Sequence, residues 1–574
     1  MQSLLLKKSM MLNIMHSILN RHAVVAQRTG RLVTVLLLVA FSVAYVNTAW
    51  VSEDAFISFR TIDNLLNGYG LTWIPGQRVQ SYTHPLWLAL LLPAVDFVGD
   101  PYIVSLLAGF IFTAATIVVL LDLAKPFSWY SLIGVGGLLW SRAFVDYSSS
   151  GLENSLSHTL IAMYAWCWLK LRSGVPKGLA LSFLLSALFL TRPDNVVLVA
   201  CSLAVLICTR PISRDVVVSI CIGLFPAIVW VAFSIFYYGS PVPNTALAKV
   251  NTGATLIKQA SQAWAYVGWS FENDIVTLVI IVLGVACGMH RVVRESMLPL
   301  AIGLIAWGGY LVYVGADYMG GRFFSTASVL AVSMLAHAGG RCRIHNMLLF
   351  GTMVVSLGIL RLTLLSPPDF EDSAISQAGI ADERGYYYRS LGLIPVLREG
   401  TWHSHAWLRQ GAALRGHSDV FTRANIGMSA YAAGPSGHWI DPYALAEPFL
   451  ARLPARINAR VGHYERAFPP GFLESELVGA NELVAPELAA LYDDVNLATR
   501  APLLADRRWA AIWRLNTGFH SKRITAFDRN AVGLPNVVKD SSAPLSVYGV
   551  SDGGVGTWLI EGPPIRATRV RPPL

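Results

Sequence analysis

Between Leu32 and Leu360 the chain is a succession of twelve apolar runs separated by polar turns. They are Leu32 to Trp50, Leu86 to Val95, Ile103 to Leu121, Trp129 to Trp140, Leu156 to Leu169, Gly178 to Leu190, Val196 to Cys208, Val216 to Phe236, Ile275 to Cys287, Leu298 to Val314, Phe323 to Ala336 and Met347 to Leu360. A helix needs roughly 20 apolar residues to cross hydrocarbon. The longer runs therefore read as membrane helices, and the shorter ones must snorkel at their polar ends or line cavities. With 54% hydrophobic and 14% charged residues among 574, the chain is too apolar to be soluble at this length.

Basic residues give the runs a direction. Lys170, Arg172 and Lys177 form one cluster, Arg210 and Arg214 a second, His290, Arg291 and Arg294 a third, and Arg341 and Arg343 a fourth. Two apolar runs separate each cluster from the next, as they must if all four face the cytoplasm. With Lys125 also inside, the short run Leu86 to Val95, bounded by Pro85 and Pro93, does not cross and reads as a juxtamembrane or re-entrant element. The fold class expected is a polytopic α-helical membrane protein of about eleven transmembrane helices in the cytoplasmic (inner) membrane. Residues 1–31 hold Lys7, Lys8, Arg21, Arg28 and Arg31 and no acid, which marks a cytoplasmic flank; Met10, Met11 and Met15 leave the start open. Residues 32–365 form the transmembrane domain, with a first outer loop over 50–100 and Leu32 to Trp50 as an uncleaved first helix.

The net charge of +9 does not argue for nucleic acid, because the Lys and Arg residues lie between apolar runs rather than along one stripe. Six cysteines, none in the C-terminal part, form neither a disulfide framework nor a zinc pattern. After Leu365, Ser366-Pro367-Pro368 opens a stretch of mixed charge without another membrane-length run. Residues 366–574 are expected to be a soluble, extracytoplasmic α+β domain held against the outer loops. Its His403 and His405 lack a third ligand at a recognisable spacing, so a surface loop is the simpler reading. Trp402, Trp407, Tyr431 and Trp439 could stack on sugars or form the domain's own core.

This parity places five polar turns on the outer face. The first carries Glu53, Asp54, Arg60, Asp63, Arg78 and His84; the second Arg142, Asp146, Ser148, Gly151 and Glu153; the third Thr191 to Asn195 with Arg192 and Asp194. The fourth runs from Tyr237 to Lys249 and holds Asn244; the fifth runs from Gly315 to Arg322 and holds Asp317. Singly, such pairs could cap hairpins. Together they gather acids and cations where a cavity between helices can form, which suits a substrate with a phosphate and an attacking hydroxyl. Outside the membrane there is no nucleotide-sugar or ATP pool, so a group transfer there needs a donor already activated, such as a sugar on a lipid phosphate.

Glu53-Asp54-Ala55-Phe56-Ile57-Ser58-Phe59-Arg60, Asp63-Asn64-Leu65-Leu66-Asn67-Gly68-Tyr69-Gly70-Leu71 and Tyr82-Thr83-His84-Pro85-Leu86-Trp87 resemble signatures of the terminal arabinofuranosyltransferase family of cell-wall arabinan synthesis. That family lies within the GT-C superfamily of membrane glycosyltransferases with polyprenyl-phosphate donors. Ser150-Gly151-Leu152-Glu153, Thr191-Arg192-Pro193-Asp194, Pro243-Asn244-Thr245, Gly315-Ala316-Asp317 and Gly321-Arg322-Phe323 are similar to its later turns. In the tail, Asp382 to Tyr387, Ile440-Asp441-Pro442 and Gly462 to Arg466 are similar too. Glu53 stands where the family has a first aspartate, Gln80 where it has an acid, and His84 before Pro85 is a further departure.

The resemblance implies transfer of D-arabinofuranose from a polyprenyl-phosphate donor to a cell-envelope glycan or a surface protein such as a pilin. Asp54 is then the expected base toward the acceptor hydroxyl, with Glu53 sharing or tuning that role. Arg192, Lys249, Arg322 and Arg60 are the expected phosphate holders, and Glu153, Asp194, Asn244, Asp317 and His84 the expected substrate-binding groups. No cofactor is certain; a Mg²⁺ or Ca²⁺ ion on Asp54 is conceivable, though no dedicated ligand spacing is present. Two rivals stay open: a transferase of the same fold for another lipid-linked sugar, and a transporter or flippase of such a lipid.

Overall fold

The computed structural model describes residues 30, 32–124, 134–208, 213–250, 252–339, 375–376, 378–457, 459–520, 524, 546–551 and 554–559. The expected run Met347 to Leu360, and part of that from Trp129 to Trp140, lie outside the described residues. The other runs are helices to within a few residues: Leu32–Thr48, then Pro85–Val98, Pro101–Leu123, Asn154–Lys170, Val175–Thr191, Val196–Cys208, Arg214–Tyr238, Ile275–Met289, Arg294–Val314 and Arg322–Ala338. Local chemistry sets their ends. Asp100 accepts from the Ile103 amide ahead of Pro101, and Ser213 caps the helix that Gly239, at φ 77°, terminates.

Three of these helices, Pro101–Leu123, Arg214–Tyr238 and Arg294–Val314, are each long and apolar enough to cross a membrane. Leu256–Asn273 and Ile275–Met289, bent by 110°, make a fourth span if taken together. Arg214–Tyr238 turns Ile222, Phe225 and Ile228 outward, as a helix facing lipid does. Its other side packs closely on Val175–Thr191: a Cβ on Gly223 would stand 2.0 Å from Ser182 Oγ, the small-residue contact by which membrane helices approach. At the centre is Arg322–Ala338, buried along its whole length except at His337.

The helix Leu256–Asn273 departs from expectation, since the sequence there reads as a polar loop. Lys258, Gln259, Gln262 and Glu272 dilute its apolar content, yet Ala263, Tyr266 and Ser270 make one buried stripe while Ile257, Trp264 and Phe271 are exposed.

The C-terminal part combines short helices with a four-stranded sheet in the order His438–Ile440, Val420–Thr422, Ser546–Ser551, Gly554–Leu559. The first two pairings are parallel and the last antiparallel. This part is stitched onto the polar turns by the main chain. Val51 N donates to Leu391 O, Leu393 N to Ala49 O, Ala381 N to Tyr318 O and Arg78 N to Thr499 O. Arg384 meets Asp146 at 2.6 Å, and Arg142 bridges Asp146 and Asp382. The tail and the polar turns thus share one end of the helical bundle.

Candidate active site

Among the described residues, two cavities of several hundred Å³ lie between the bundle and the tail. The larger, about 620 Å³, is lined by Asp54, Ser58, Arg192, Asp194, Lys249, Asp317 and Arg322, and by Tyr310, Tyr313 and Phe323 at the ends of the apolar helices. The smaller, about 360 Å³, is lined by Glu53, Asp54, Lys249, Tyr318, Glu383 and a set of tail residues that includes Tyr386, Tyr387, Trp407, Tyr443, Arg460 and His463. Asp54, Ile57, Lys249, Leu445 and Gly462 belong to both walls.

The first loop delivers Asp54 to this partition. Ser52 N donates to Ser150 O, and Asp54 is the residue before the helix Ala55–Leu66, with no capping bond from its side chain. Its carboxylate, 25% exposed, lies 3.8 Å from Arg322 Nη1 and accepts from the Tyr318 hydroxyl at 3.4 Å. Arg322 sits on the first turn of the central helix, after Gly321 at φ 80°. The turn before it is strained: Gly315 has φ 79° and Ala316 φ 56°, a left-handed conformation that a non-glycine residue adopts at a cost. That turn aims Asp317, whose Oδ2 is 4.0 Å from Arg322.

Behind the partition a buried carboxylate ties three turns together. Glu153, fully buried, accepts from Arg192 at 3.3 Å and from Arg322 at 3.2 Å through Oε1, and faces His84 Nδ1 at 3.2 Å through Oε2. Arg192 also grips Asp194 with two bonds, at 3.0 and 2.8 Å, and lies over the Phe323 ring. Burial alone would raise the Glu153 carboxyl, but the guanidinium charges of Arg322 and Arg192 outweigh it and hold the group below the usual carboxylate range. Burial and the two arginines keep His84 below its usual value against the pull of Glu153, so the ring is neutral.

The acidic pair divides its roles. Burial, with the Asp54 charge beside it, pushes Glu53 up to about 8, against the Met428 and Gly427 amides; Met428 N donates to it at 3.2 Å. Burial also raises Asp54, while Arg322 and Lys249 pull it back toward the ionised form. Glu53 is thus the partner that holds its proton more tightly, while Asp54, raised from its usual value, is the one that faces the cations.

Several expected site residues prove to hold the scaffold instead. Arg60 lines neither cavity: its buried guanidinium donates to Trp73 O, Ala430 O and Gly434 O and stacks on Trp73. Six residues beyond Asp54 on a helix, it lies about 240° around the axis, on another face. Asn244 donates to Ala444 O and Leu445 O and so fastens the tail. Glu153 and His84 stand behind the cavity wall, not in it. Arg192, Asp194, Lys249, Asp317 and Arg322 all line the larger cavity, while Glu53 lines only the smaller.

Ser58, Tyr318 and Glu383 went unremarked among the candidates. Ser58 could have been found from its spacing, one helical turn after Asp54. His405 caps its own helix through the Trp407 amide and His403 stacks on Trp402. Among the described residues no three His, Cys, Asp or Glu side chains converge as a metal would require. The Arg322 guanidinium occupies the gap between Asp54 and Asp317, so the donors do not fit a divalent ion.

No family model matches the chain. Among curated proteins it is similar to the terminal beta-(1->2)-arabinofuranosyltransferase of Mycobacterium tuberculosis, 26% identical over 80% of this chain and 90% of that protein. It is also similar to the protein of the same name from Corynebacterium glutamicum, 28% identical over 77% of this chain and 79% of that one. Among solved structures, ArnT from Cupriavidus metallidurans bound to undecaprenyl phosphate overlaps 70% of this chain and 84% of its own, at 12% identity and a TM-score of 0.43, too loosely to bear on the chemistry.

Proposed function

We propose that this chain, a homologue of the terminal arabinofuranosyltransferases along most of its length, is a membrane glycosyltransferase of the GT-C type that moves arabinofuranose from a polyprenyl phosphate to a cell-envelope glycan. Residues 32–365 would form its membrane domain, with about eleven spans, and 366–574 an extracytoplasmic α+β domain. The observation that carries the reading is the position of Asp54 in the wall common to two cavities of different chemistry. The larger, with Arg192, Arg322 and Lys249 and an apolar margin, suits a lipid phosphate bearing a sugar. The smaller, walled by tail aromatics and polar groups, suits the end of a glycan, whose ring faces pack on aromatic side chains.

In this reading Asp54 takes the proton of an acceptor hydroxyl as that oxygen bonds to the anomeric carbon and the carbon–phosphate oxygen bond breaks. The charge that collects on the departing phosphate is met by Lys249, Arg322 and Arg192, cations fixed before the reaction begins. Arg192 and Arg322 are already shared with Glu153 and Asp194, whereas Lys249 is exposed and forms no ion pair among the described residues. It is the cation best able to answer a new anion. Glu53, protonated, leaves the base role to Asp54 alone.

The test is turnover by purified protein of a synthetic polyprenyl-phosphate arabinofuranose with an arabinan oligosaccharide. Asp54→Asn, folded and membrane-inserted, is expected to lose at least a hundredfold in kcat, within the ordinary contribution of a general base. Unchanged turnover rejects the assignment. Transfer to a purified pilin and not to the glycan would redirect the acceptor.

A further inference from the structure

Ser58 and Asp54 are four residues apart at the start of one helix, so their side chains project on the same side, one turn from each other, and both line the larger cavity. Ser58 Oγ lies 2.7 Å from His84 Nε2, and His84 Nδ1 lies 3.2 Å from Glu153 Oε2. The protons in this row can be assigned. Glu153, held between two guanidinium groups, is ionised and can only accept, and the other neighbour of Nδ1, the Thr83 hydroxyl at 3.4 Å, can accept as well, so the tautomer that suits both has the ring proton on Nδ1. Nε2 is then a bare lone pair, and Ser58 must give its hydroxyl hydrogen to it.

A serine whose hydrogen is committed backward can only accept from whatever occupies the cavity. A phosphate oxygen has no hydrogen to give at neutral pH, while a sugar hydroxyl does. We infer that Ser58, oriented by His84 and Glu153, is a specificity-determining residue that accepts a hydrogen bond from one hydroxyl of the donor's sugar ring and seats the ring beside Asp54. This rests on the larger cavity being the donor's. The neighbouring cations take the phosphate, so the two ends of the head group are sorted by what each can donate. A site built to pair a substrate hydroxyl discriminates strongly against an analogue lacking it, because its own polar group is left unpaired.

The experiment compares the intact arabinofuranosyl donor with its 2-, 3- and 5-deoxy analogues, using full-length protein in nanodiscs. The wild type is expected to turn over one analogue at least tenfold more slowly than it turns over the intact donor. Ser58→Ala, checked for an unchanged unfolding temperature, should lose about tenfold in kcat/KM on the intact donor and treat that one analogue no worse. His84→Gln, which frees Ser58 to rotate, should blunt the same discrimination and no other. The inference is overturned if Ser58→Ala keeps the wild-type ranking of the three analogues. Complete loss of turnover with every donor also overturns it, since that result would mark Ser58 as a reacting group rather than a reader of the ring. If the wild type does not use the intact donor at all, the glycosyl-transfer reading falls first, and the inference with it.

Discussion

Replacing Glu153 by Gln keeps the shape of the side chain and removes one buried charge from between two guanidinium groups. Glu153 Oε1 lies 3.3 Å from Arg192 and 3.2 Å from Arg322. A unit pair near 4 Å is worth about 4 kcal/mol at an effective dielectric of about 20. Part of that gain is cancelled by desolvation, and deleting one partner of a buried pair typically costs about 3–5 kcal/mol. Unfolding entropy is about 2.1 cal/mol/K per residue, or roughly 1.2 kcal/mol/K for a chain this long, so the midpoint should fall by about 2.5–4 °C. The amide NH₂ would also meet the Nδ1–H of His84 and force the ring to change tautomer.

The same substitution should strengthen phosphate binding, since the two arginines lose their standing counter-charge. Thermal unfolding in nanodiscs, with and without polyprenyl phosphate, reads both effects. The variant should melt lower when empty and gain more from the ligand than the wild type does. An unchanged midpoint together with an unchanged ligand shift would show that Glu153 is not the ionised hub inferred from its neighbours.

Lys249→Gln should lower kcat/KM for the donor about 10–100-fold, the loss expected for one charge-assisted bond; an unchanged kcat/KM speaks against it. Glu53→Gln should keep turnover within a few-fold and alter the pH dependence of stability instead. The folded state binds the Glu53 proton more tightly than the unfolded chain does, so its contribution is full below the ordinary carboxyl range and is lost as pH rises toward about 8. Over that window the wild-type midpoint should fall more steeply than the variant's, and equal slopes refute the assignment. Gly427→Ala would place a Cβ 2.4 Å from Glu53 O and should destabilise the protein by about 1–3 kcal/mol. Gly268→Ala, with open space around it, is the control expected to cost nothing.

Much of the layout was legible because charge at a membrane is costly and therefore informative. The basic clusters led to the expectation that five polar turns lie on one side, and Asp54, Arg192, Lys249, Asp317 and Arg322, drawn from four of them, line one cavity. Side-chain direction was the weaker reading. Arg60 reads as a phosphate holder when its charge is weighed without its place on the helix, and Asn244 as a substrate-binding group because an amide that ties down the tail reads like one that binds a ligand. Ser58 carries no charge and drew no notice, though its spacing from Asp54 was visible. The helix Leu256–Asn273 was hidden by its polar face, and the smaller cavity could not be foreseen, because it exists only where residues hundreds of positions apart meet.

The shared wall at Asp54 has a consequence for traffic. Under the proposed function, a carrier lodged on the side bordered by Tyr310 and Tyr313 would stay in the bilayer from arrival to departure, and a polymer end among the tail aromatics would stay in water. Only a single sugar ring would cross from one to the other. Spent carrier and extended polymer would then leave by different doors, so neither would wait for the other.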